Sequence, residues 1–259
     1  MKFLILSLSL SGGLLLGGCK PASTGTQTLS VAAASDLKFA MDALVAEYHA
    51  SHPGTTVNVT YGSSGNFFAQ LQNKAPFDLY FSADLDYPGK LSEAGLALDN
   101  TVFRYAIGHL VVWVPKSSPV DVEKLGMAAL MDPTVKKIAI ANPQQAPYGR
   151  AAVAAMKSLG VYEQAESRLV FGENIAQTAQ FVQSGAADLG ILSLSLALAP
   201  QMQGHHWEIP STAYPPLVQG GIILNWTKQA TAAREFRDQV LGEGGKAVLR
   251  RYGFVTPEN

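Results

Sequence analysis

Neutral hydrogen-bond donors stand at four points where an apolar segment gives way to a helical pattern. They are Ser35, Ser63, Ser64, Tyr148 and the backbone at Ile175. Hydroxyl groups and the unpaired N–H groups of a helix start both donate to anions, and the helix dipole favours negative charge there. If these turns converge, they can bind one dianion through hydrogen bonds of about 1.5–3 kcal/mol each.

A single serine at a helix start has a simpler explanation. Ser35 or Asp36 is expected to be the N-cap of the first helix, because short polar side chains there accept bonds from the first turn. The stretch GSSG at 62–65 lacks both the GxSxG spacing of a nucleophile elbow and the lysine of a P-loop. The repetition of such turns, rather than any one of them, favours a ligand.

The ionisable residues do not favour an enzyme. The five histidines show no metal-ligand spacing, and His205 and His206 are adjacent, so they would point to opposite faces of a strand. We therefore predict no cation site, no catalytic residues and no cofactor. An exported serine hydrolase remains an alternative, although the sequence offers no base for Ser35 or Ser64. A purely structural lipoprotein is a third possibility.

Composition describes a globular protein of ordinary charge. The 259 residues are 47% apolar and 15% charged, with a formal net charge of −1, and the length suits two domains. The charged residues form no basic run, so no nucleic-acid partner is expected.

The N-terminus predicts export. Residues 1–18 combine an early lysine with a short apolar run, as in a signal peptide. The segment LGGC ends at Cys19, the single cysteine, and resembles the lipobox of bacterial lipoproteins. We expect Cys19 to be lipidated and residues 19–28 to be a tether on the periplasmic side of the membrane. The alternative is an ordinary signal peptide cleaved beyond Cys19.

Strands and helices alternate with short connections, which predicts an α/β fold with parallel sheets covered by helices. Period and composition predict strands at 29–34, 57–61, 77–84, 107–114, 137–141, 169–170, 188–192 and 217–224. The stretch containing His205 and His206 is expected to be a loop, and the chain is expected to end in a short helix within 247–254. Ligands of such folds bind at the carboxyl ends of the strands.

Several segments together resemble one family, the substrate-binding proteins of bacterial molybdate ABC transporters. The matching segments are AAASDLKFAM, YGSSGNFFAQL, FDLYFSAD, NPQQAPYGRAA, GENIAQTAQFVQSGAADLGIL and RRYGF. The resemblance implies a two-lobe periplasmic-binding-protein fold of type II, with mainly parallel sheets joined by two crossing strands. Lobe 1 would comprise residues 29–108 and 215–259, and lobe 2 residues 109–214, with the ligand in the cleft between them.

The same resemblance implies the ligand and its contacts. One molybdate or tungstate ion would be bound without a counter-ion by Ser35, Ser64, Tyr148, Ile175 and Ser193. Relatives often have a tyrosine where this chain has Ser193, so the hydroxyl of Tyr148 is expected to supply the missing donor. The implied partner is the membrane permease of the transporter, and the protein is expected to be a monomer. Sulfate or phosphate is the alternative ligand, with Asp36 either accepting a phosphate proton or facing solvent as a cap.

Overall fold

The structure, a computed structural model, describes residues 27–99 and 101–258. The predicted signal peptide and the lipidation site Cys19 lie outside the described residues. Gln27 and Thr28, predicted to end the tether, instead begin the first strand, β1, where they pair with Thr55 and Thr56.

The described chain forms two five-stranded sheets with helices against them, so the predicted two-lobe α/β architecture is confirmed. The first sheet has the order β2-β1-β3-β10-β4. Its strands are β1 (Gln27–Ala34), β2 (Thr55–Gly62), β3 (Leu79–Ser82), β4 (Phe103–Gly108) and β10 (Leu217–Ile223). Strands β2, β1 and β3 are parallel, and β10 runs antiparallel between β3 and β4.

The second sheet repeats this arrangement with the order β7-β6-β8-β5-β9. Its strands are β5 (Leu110–Pro115), β6 (Ile138–Ala141), β7 (Leu169–Gly172), β8 (Leu189–Ser193) and β9 (Gly204–Glu208). Strands β7, β6 and β8 are parallel, and β5 is antiparallel to both of its neighbours. In each sheet four strands therefore run one way and one strand runs the other way.

Eight helices lie in connections between the described strands, and two follow the last strand. The helices are α1 (Lys38–Ser51), α2 (Ser64–Gln72), α3 (Asp86–Glu93), α4 (Val122–Leu125), α5 (Pro147–Ser158), α6 (Tyr162–Ala165), α7 (Ile175–Gln183), α8 (Leu194–Ala197), α9 (Ala230–Leu241) and α10 (Glu243–Arg251). A 3₁₀ turn, Ser35–Leu37, joins β1 to α1. In the part of the chain that the structure describes, no helix has the length and apolar character needed to cross a membrane.

Burial explains why the central strands are continuously apolar in sequence. Every residue of β3 and β6 is buried, because helices or loops cover both faces of each sheet. Strand β2 at an edge alternates between buried or half-buried and exposed residues, which matches the pattern VNVTY. The sheets thus bring the carboxyl ends of their parallel strands to the space between the lobes.

Three local predictions were wrong. The segment predicted as one strand, 107–114, contains the end of β4 and most of β5, and the two strands belong to different sheets. The predicted loop around His205 and His206 is strand β9, which pairs with β5 at the edge of the second sheet. Such an edge strand tolerates polar residues, so its sequence lacks the apolar signal. The last helix begins at Glu243, before the predicted segment 247–254, and ends at Arg251.

Candidate functional site

Strand ends and helix starts from both lobes surround a small cavity. From the first lobe come the residues after β1, β2 and β3, and from the second lobe come the starts of α5 and α7. The lining residues are Ala34, Ser35, Asp36, Gly62, Ser63, Ser64, Ala83, Ala146, Pro147, Tyr148 and Ile175. This lining contains no Lys, Arg or His, so its donors are neutral hydroxyl and backbone N–H groups.

Ser35 lies at the seam between the lobes. Its side chain is 2% exposed, and its hydroxyl donates to Asn174 Oδ1 over 3.1 Å. Its oxygen also accepts from Ala176 N–H at 3.3 Å. Asn174 caps α7 by accepting from the N–H groups of Ala176 and Gln177. Ser35 is therefore held against the start of the helix that carries Ile175.

Two neighbouring serines differ in how their hydroxyls are used. Ser64 Oγ accepts from Ala83 N–H at 3.0 Å, which leaves its own hydrogen available to donate. Ser63 is the N-cap residue of α2 but makes no side-chain capping bond, and its buried Oγ has no hydrogen-bond partner among the described residues. Ser63 is one of the neutral donors in the sequence pattern, but the resemblance does not imply it as a ligand contact. Because its hydroxyl is unpaired and lies in the cavity wall, Ser63 is a further candidate for a donor to the ligand.

The second lobe contributes backbone donors. Ile175 is the first residue of α7 and Tyr148 the second residue of α5, after Pro147. N–H groups of a first helical turn have no partner within their own helix, and here both residues line the cavity. The positive ends of two helix dipoles, those of α7 with nine residues and α5 with twelve, are therefore directed at the same cavity.

Ser193 lies elsewhere. It is fully buried at the end of β8, and it is the N-cap of α8, where its Oγ accepts from Leu196 N–H at 3.4 Å. The hydroxyl of Ser195 lies 3.0 Å from it. Ser193 is not among the residues lining the cavity. The structure brings Ser35, Ser64, Tyr148 and Ile175 together, but not Ser193.

Neither predicted cap serves as one. The N-cap position before the 3₁₀ turn is Ala34, without a side-chain capping bond. Asp36 does not face solvent either: it is 1% exposed, lines the cavity, and accepts from Gln219 Nε2 at 2.6 Å. Burial raises the pKa of Asp36 to about 6, while hydrogen bonds from Gln219 and Tyr148 act in the opposite direction.

Asp36 belongs to a buried polar network at the crossing between the lobes. Gln219 Nε2 also lies 3.1 Å from the Tyr148 hydroxyl, and Tyr105 donates to Gln219 Oε1 at 2.7 Å. A Cβ at Gly108 would collide with the Tyr148 hydroxyl, so this position requires glycine. The hydroxyl of Tyr148 is thus engaged with the network, and its role as the missing ligand donor stays a prediction. Gln219, in the middle of a strand, carried no sequence signal.

The lobes also contact each other around the cavity rim. Gly65 N–H donates to the carbonyl of Gln145 at 2.9 Å, and Asn66 donates to Glu173 at 3.0 Å. On another side Arg150 pairs with Asp84. Bonds between main-chain atoms of different lobes require close approach, so the structure represents a closed arrangement.

The sequence matches the family model described as bacterial extracellular solute-binding protein over residues 29–255. The chain belongs to this family. The molybdate-binding protein ModA of Rhodobacter capsulatus is 33% identical over 94% of this chain and 93% of its own. The solved structure of the Azotobacter vinelandii periplasmic molybdate-binding protein is 34% identical, with a TM-score of 0.83 over 89% of this chain and all of that one. A Bacillus subtilis relative described as a putative ABC transporter substrate-binding lipoprotein, YvgL, is 26% identical over 98% of both chains.

The comparisons confirm the resemblance to molybdate-binding proteins and the fold it implied. The cavity lies between the two lobes, where the resemblance implies the ligand. Within the described residues no group of three His, Cys, Asp or Glu side chains could hold a metal ion. The cavity lining offers hydroxyl and backbone N–H donors, which are the groups that suit an anion.

Proposed function

We propose that this protein binds molybdate in the cleft between its lobes and delivers it to the permease of an ABC transporter. The observation that supports this most strongly is the cavity itself: helix starts and serine hydroxyls from both lobes meet there, without a cationic side chain. Hydrogen bonds to a charged partner contribute about 1.5–3 kcal/mol each, so about five or six cover micromolar affinity, near −8 kcal/mol, after association costs.

Ligand selection would follow from size. Donors fixed by closed lobes accept one ionic radius, and tungstate, nearly the same size as molybdate, should bind as well. Sulfate and phosphate are smaller, so in the same closed cleft some donors would remain out of reach. A buried donor that loses its partner costs about 1–3 kcal/mol. We infer that sulfate and phosphate bind weakly.

A panel of oxyanions tests this function. Molybdate and tungstate at about 100 times their Kd should stabilise the protein by roughly 2.7 kcal/mol, seen as a rise in melting temperature. Sulfate and phosphate at equal concentration should have little effect. Perrhenate, a tetrahedral oxyanion with a single negative charge, serves as a control that separates size from charge. Calorimetry in which sulfate binds as well as molybdate would contradict the proposal.

A serine hydrolase is the second candidate, and the cavity gives it little support. A nucleophilic serine needs a general base within hydrogen-bond reach, commonly His or Lys. Ser35, Ser63 and Ser64 share their cavity with neither of these residues. The absence of reaction with an active-site serine probe is expected.

We further propose that Cys19 is lipidated and that the mature chain is a monomer tethered at the periplasmic side of the membrane, with the lobes divided at 108/109 and 214/215. The lipobox-like LGGC supports the anchor. Mass spectrometry of the mature protein should find Cys19 as a diacylated N-terminus, and Cys19→Ser should release the protein from membranes. A mature chain that begins beyond Cys19 would exclude the anchor.

A further inference from the structure

The carboxyl group of Asp36 is sealed in the wall of the cavity. The residue is 1% exposed and lines the space between the lobes. Its Oδ2 accepts from Gln219 Nε2, whereas its Oδ1 is buried and has no hydrogen-bond partner among the described residues. A buried oxygen without a hydrogen-bond partner is energetically unfavourable, and a ligand in the cavity could supply that partner.

The groups that face Asp36 from each neighbouring element are neutral. Strand β10 provides Gln219, α5 provides the phenol of Tyr148, and β4 provides Tyr105 one step further along the same network. From α8 the hydroxyl of Ser195 donates to the main-chain carbonyl of Asp36 at 2.8 Å. No cationic side chain contributes to the electrostatics of Asp36 in the described structure, and burial dominates.

The nearest cation in sequence is also directed elsewhere. Lys38 forms a surface ion pair with Asp42, and its side chain is 42% exposed. The carboxylate of Asp36 therefore has neutral donors nearby, among them Gln219 Nε2 on Oδ2, but no compensating positive charge. Its pKa of about 6 reflects this imbalance before any ligand is present.

Closure of the lobes excludes water from the carboxyl group of Asp36. Tyr148 and Ser195 belong to the lobe of the second sheet, whereas Asp36 and Gln219 belong to the first. Opening of the cleft would separate these pairs and admit water to the carboxyl group. The same closure that buries the oxyanion thus buries Asp36 beside it.

We propose that Asp36 takes up one proton when the lobes close on the oxyanion, so that the bound state contains a neutral carboxylic acid donating from Oδ1 to a ligand oxygen. This inference rests on the proposed function. The proton comes from solvent and no covalent bond other than the new O–H forms. A carboxylate and a dianion in one dry cavity repel strongly, whereas the protonated acid offers a donor to the dianion and satisfies its own unpaired oxygen.

The affinity for molybdate should depend on pH, because ligand binding is thermodynamically linked to proton uptake by Asp36. Above about pH 6 the carboxyl group is ionised even in the closed arrangement without ligand, and a bound dianion raises its pKa further. Between these two pKa values binding takes up a proton, so affinity falls as pH rises, by at most about tenfold per pH unit. Below the ligand-free pKa the affinity is flat. An asparagine in this position is always neutral and removes the dependence.

Calorimetry with molybdate tests this on the full chain. Titrations near neutral pH in two buffers of different ionisation enthalpy give the number of protons taken up, and we expect roughly one for the parent. Asp36→Asn should take up no proton, and its affinity for molybdate should stay constant from about pH 6 to about pH 8. Over the same interval the affinity of the parent should fall by up to about 100-fold. Asp84→Asn is the matched control: it removes a cleft carboxylate paired with Arg150, and its proton uptake should equal that of the parent.

The outcomes are distinguishable. Molybdate binding by the parent without proton uptake, or an unchanged pH dependence in Asp36→Asn, would overturn the inference and leave the proposed function standing. No binding of molybdate by the parent near pH 6 or pH 8 would overturn both. If Asp36→Asn does not fold, the two-buffer comparison on the parent decides by itself.

Discussion

Gly65→Ala is expected to weaken molybdate binding by roughly a hundredfold or more while both lobes stay folded. Gly65 lies in the first turn of α2, beside Ser64, and its N–H donates to the Gln145 carbonyl of the other lobe. A Cβ at this position would lie 2.6 Å from that carbonyl oxygen, closer than real contacts allow. The added Cβ clashes with a main-chain oxygen, which cannot rotate away as a side chain can. The lobes therefore have to stay further apart, and their donors no longer meet around the ion.

The same substitution should not harm the first lobe itself. Gly65 does not adopt a positive φ, and alanine is favoured over glycine in a helix by about 1 kcal/mol. A melting curve of the ligand-free variant should therefore match or exceed that of the parent, whereas calorimetry should show the loss of affinity. Small-angle scattering with saturating molybdate should show a more open molecule.

Gly89→Ala is the matched control for closure. Gly89 also lies in a helix of the first lobe, α3, but a Cβ there meets no atom within 4 Å. This variant should bind molybdate as the parent does. If Gly65→Ala binds equally well, the closed arrangement of the lobes is not the one that binds the ligand.

Ser64→Ala and Ser35→Ala are each expected to reduce molybdate affinity by about 1.5–3 kcal/mol, or roughly 10- to 150-fold. Each removes a hydroxyl from the cavity wall, and a dianion in a dry site gains the most from such donors. Stability should fall as well, since Ser64 Oγ accepts from Ala83 N–H and Ser35 Oγ accepts from Ala176 N–H. Calorimetry and melting curves separate the two effects.

Ser193→Ala provides the control for these serines. It too removes a buried hydroxyl that accepts a backbone bond at a helix start, but outside the cavity. It should lower the free energy of unfolding by about 1 kcal/mol and leave affinity unchanged. An affinity loss in Ser193→Ala that equals the losses in Ser64→Ala and Ser35→Ala would mean that Ser193, not the present cavity lining, contacts the ion.

Much of the fold could be predicted from local patterns. The apolar run of β1 and the helical spacing after it identify a strand-to-helix turn without any tertiary information, because burial on both faces demands apolar residues throughout. Strand β9 could not be found this way. Its residues, Gly204–Glu208, are held by main-chain pairing with β5, and main-chain bonds leave no mark on side-chain composition.

The candidate site, like the fold, could be predicted only in part from the sequence. The sequence by itself determined that serines and helix starts follow the strands, and hence that an anion is a suitable ligand, because capping geometry is local. Which serine lines the cavity depended on tertiary structure: Ser35 lines it and bridges to Asn174 across the lobes, whereas Ser193 caps α8 within its own lobe. Both serines stand where an apolar strand meets a helical turn, so the strand-to-helix pattern alone does not distinguish them.

The state of Asp36 was decided entirely by tertiary contacts. Its position after Ser35 suggested a cap or a solvent-facing carboxylate. The structure instead surrounds it with Gln219, which is 183 positions away along the chain, and Tyr148, which is 112 positions away. The charge that a carboxyl group carries depends on the water and donors around it, and folding brings those from distant segments. The sequence therefore determined where donors stand along the chain, while the packing of the two lobes against each other decided which groups lose water.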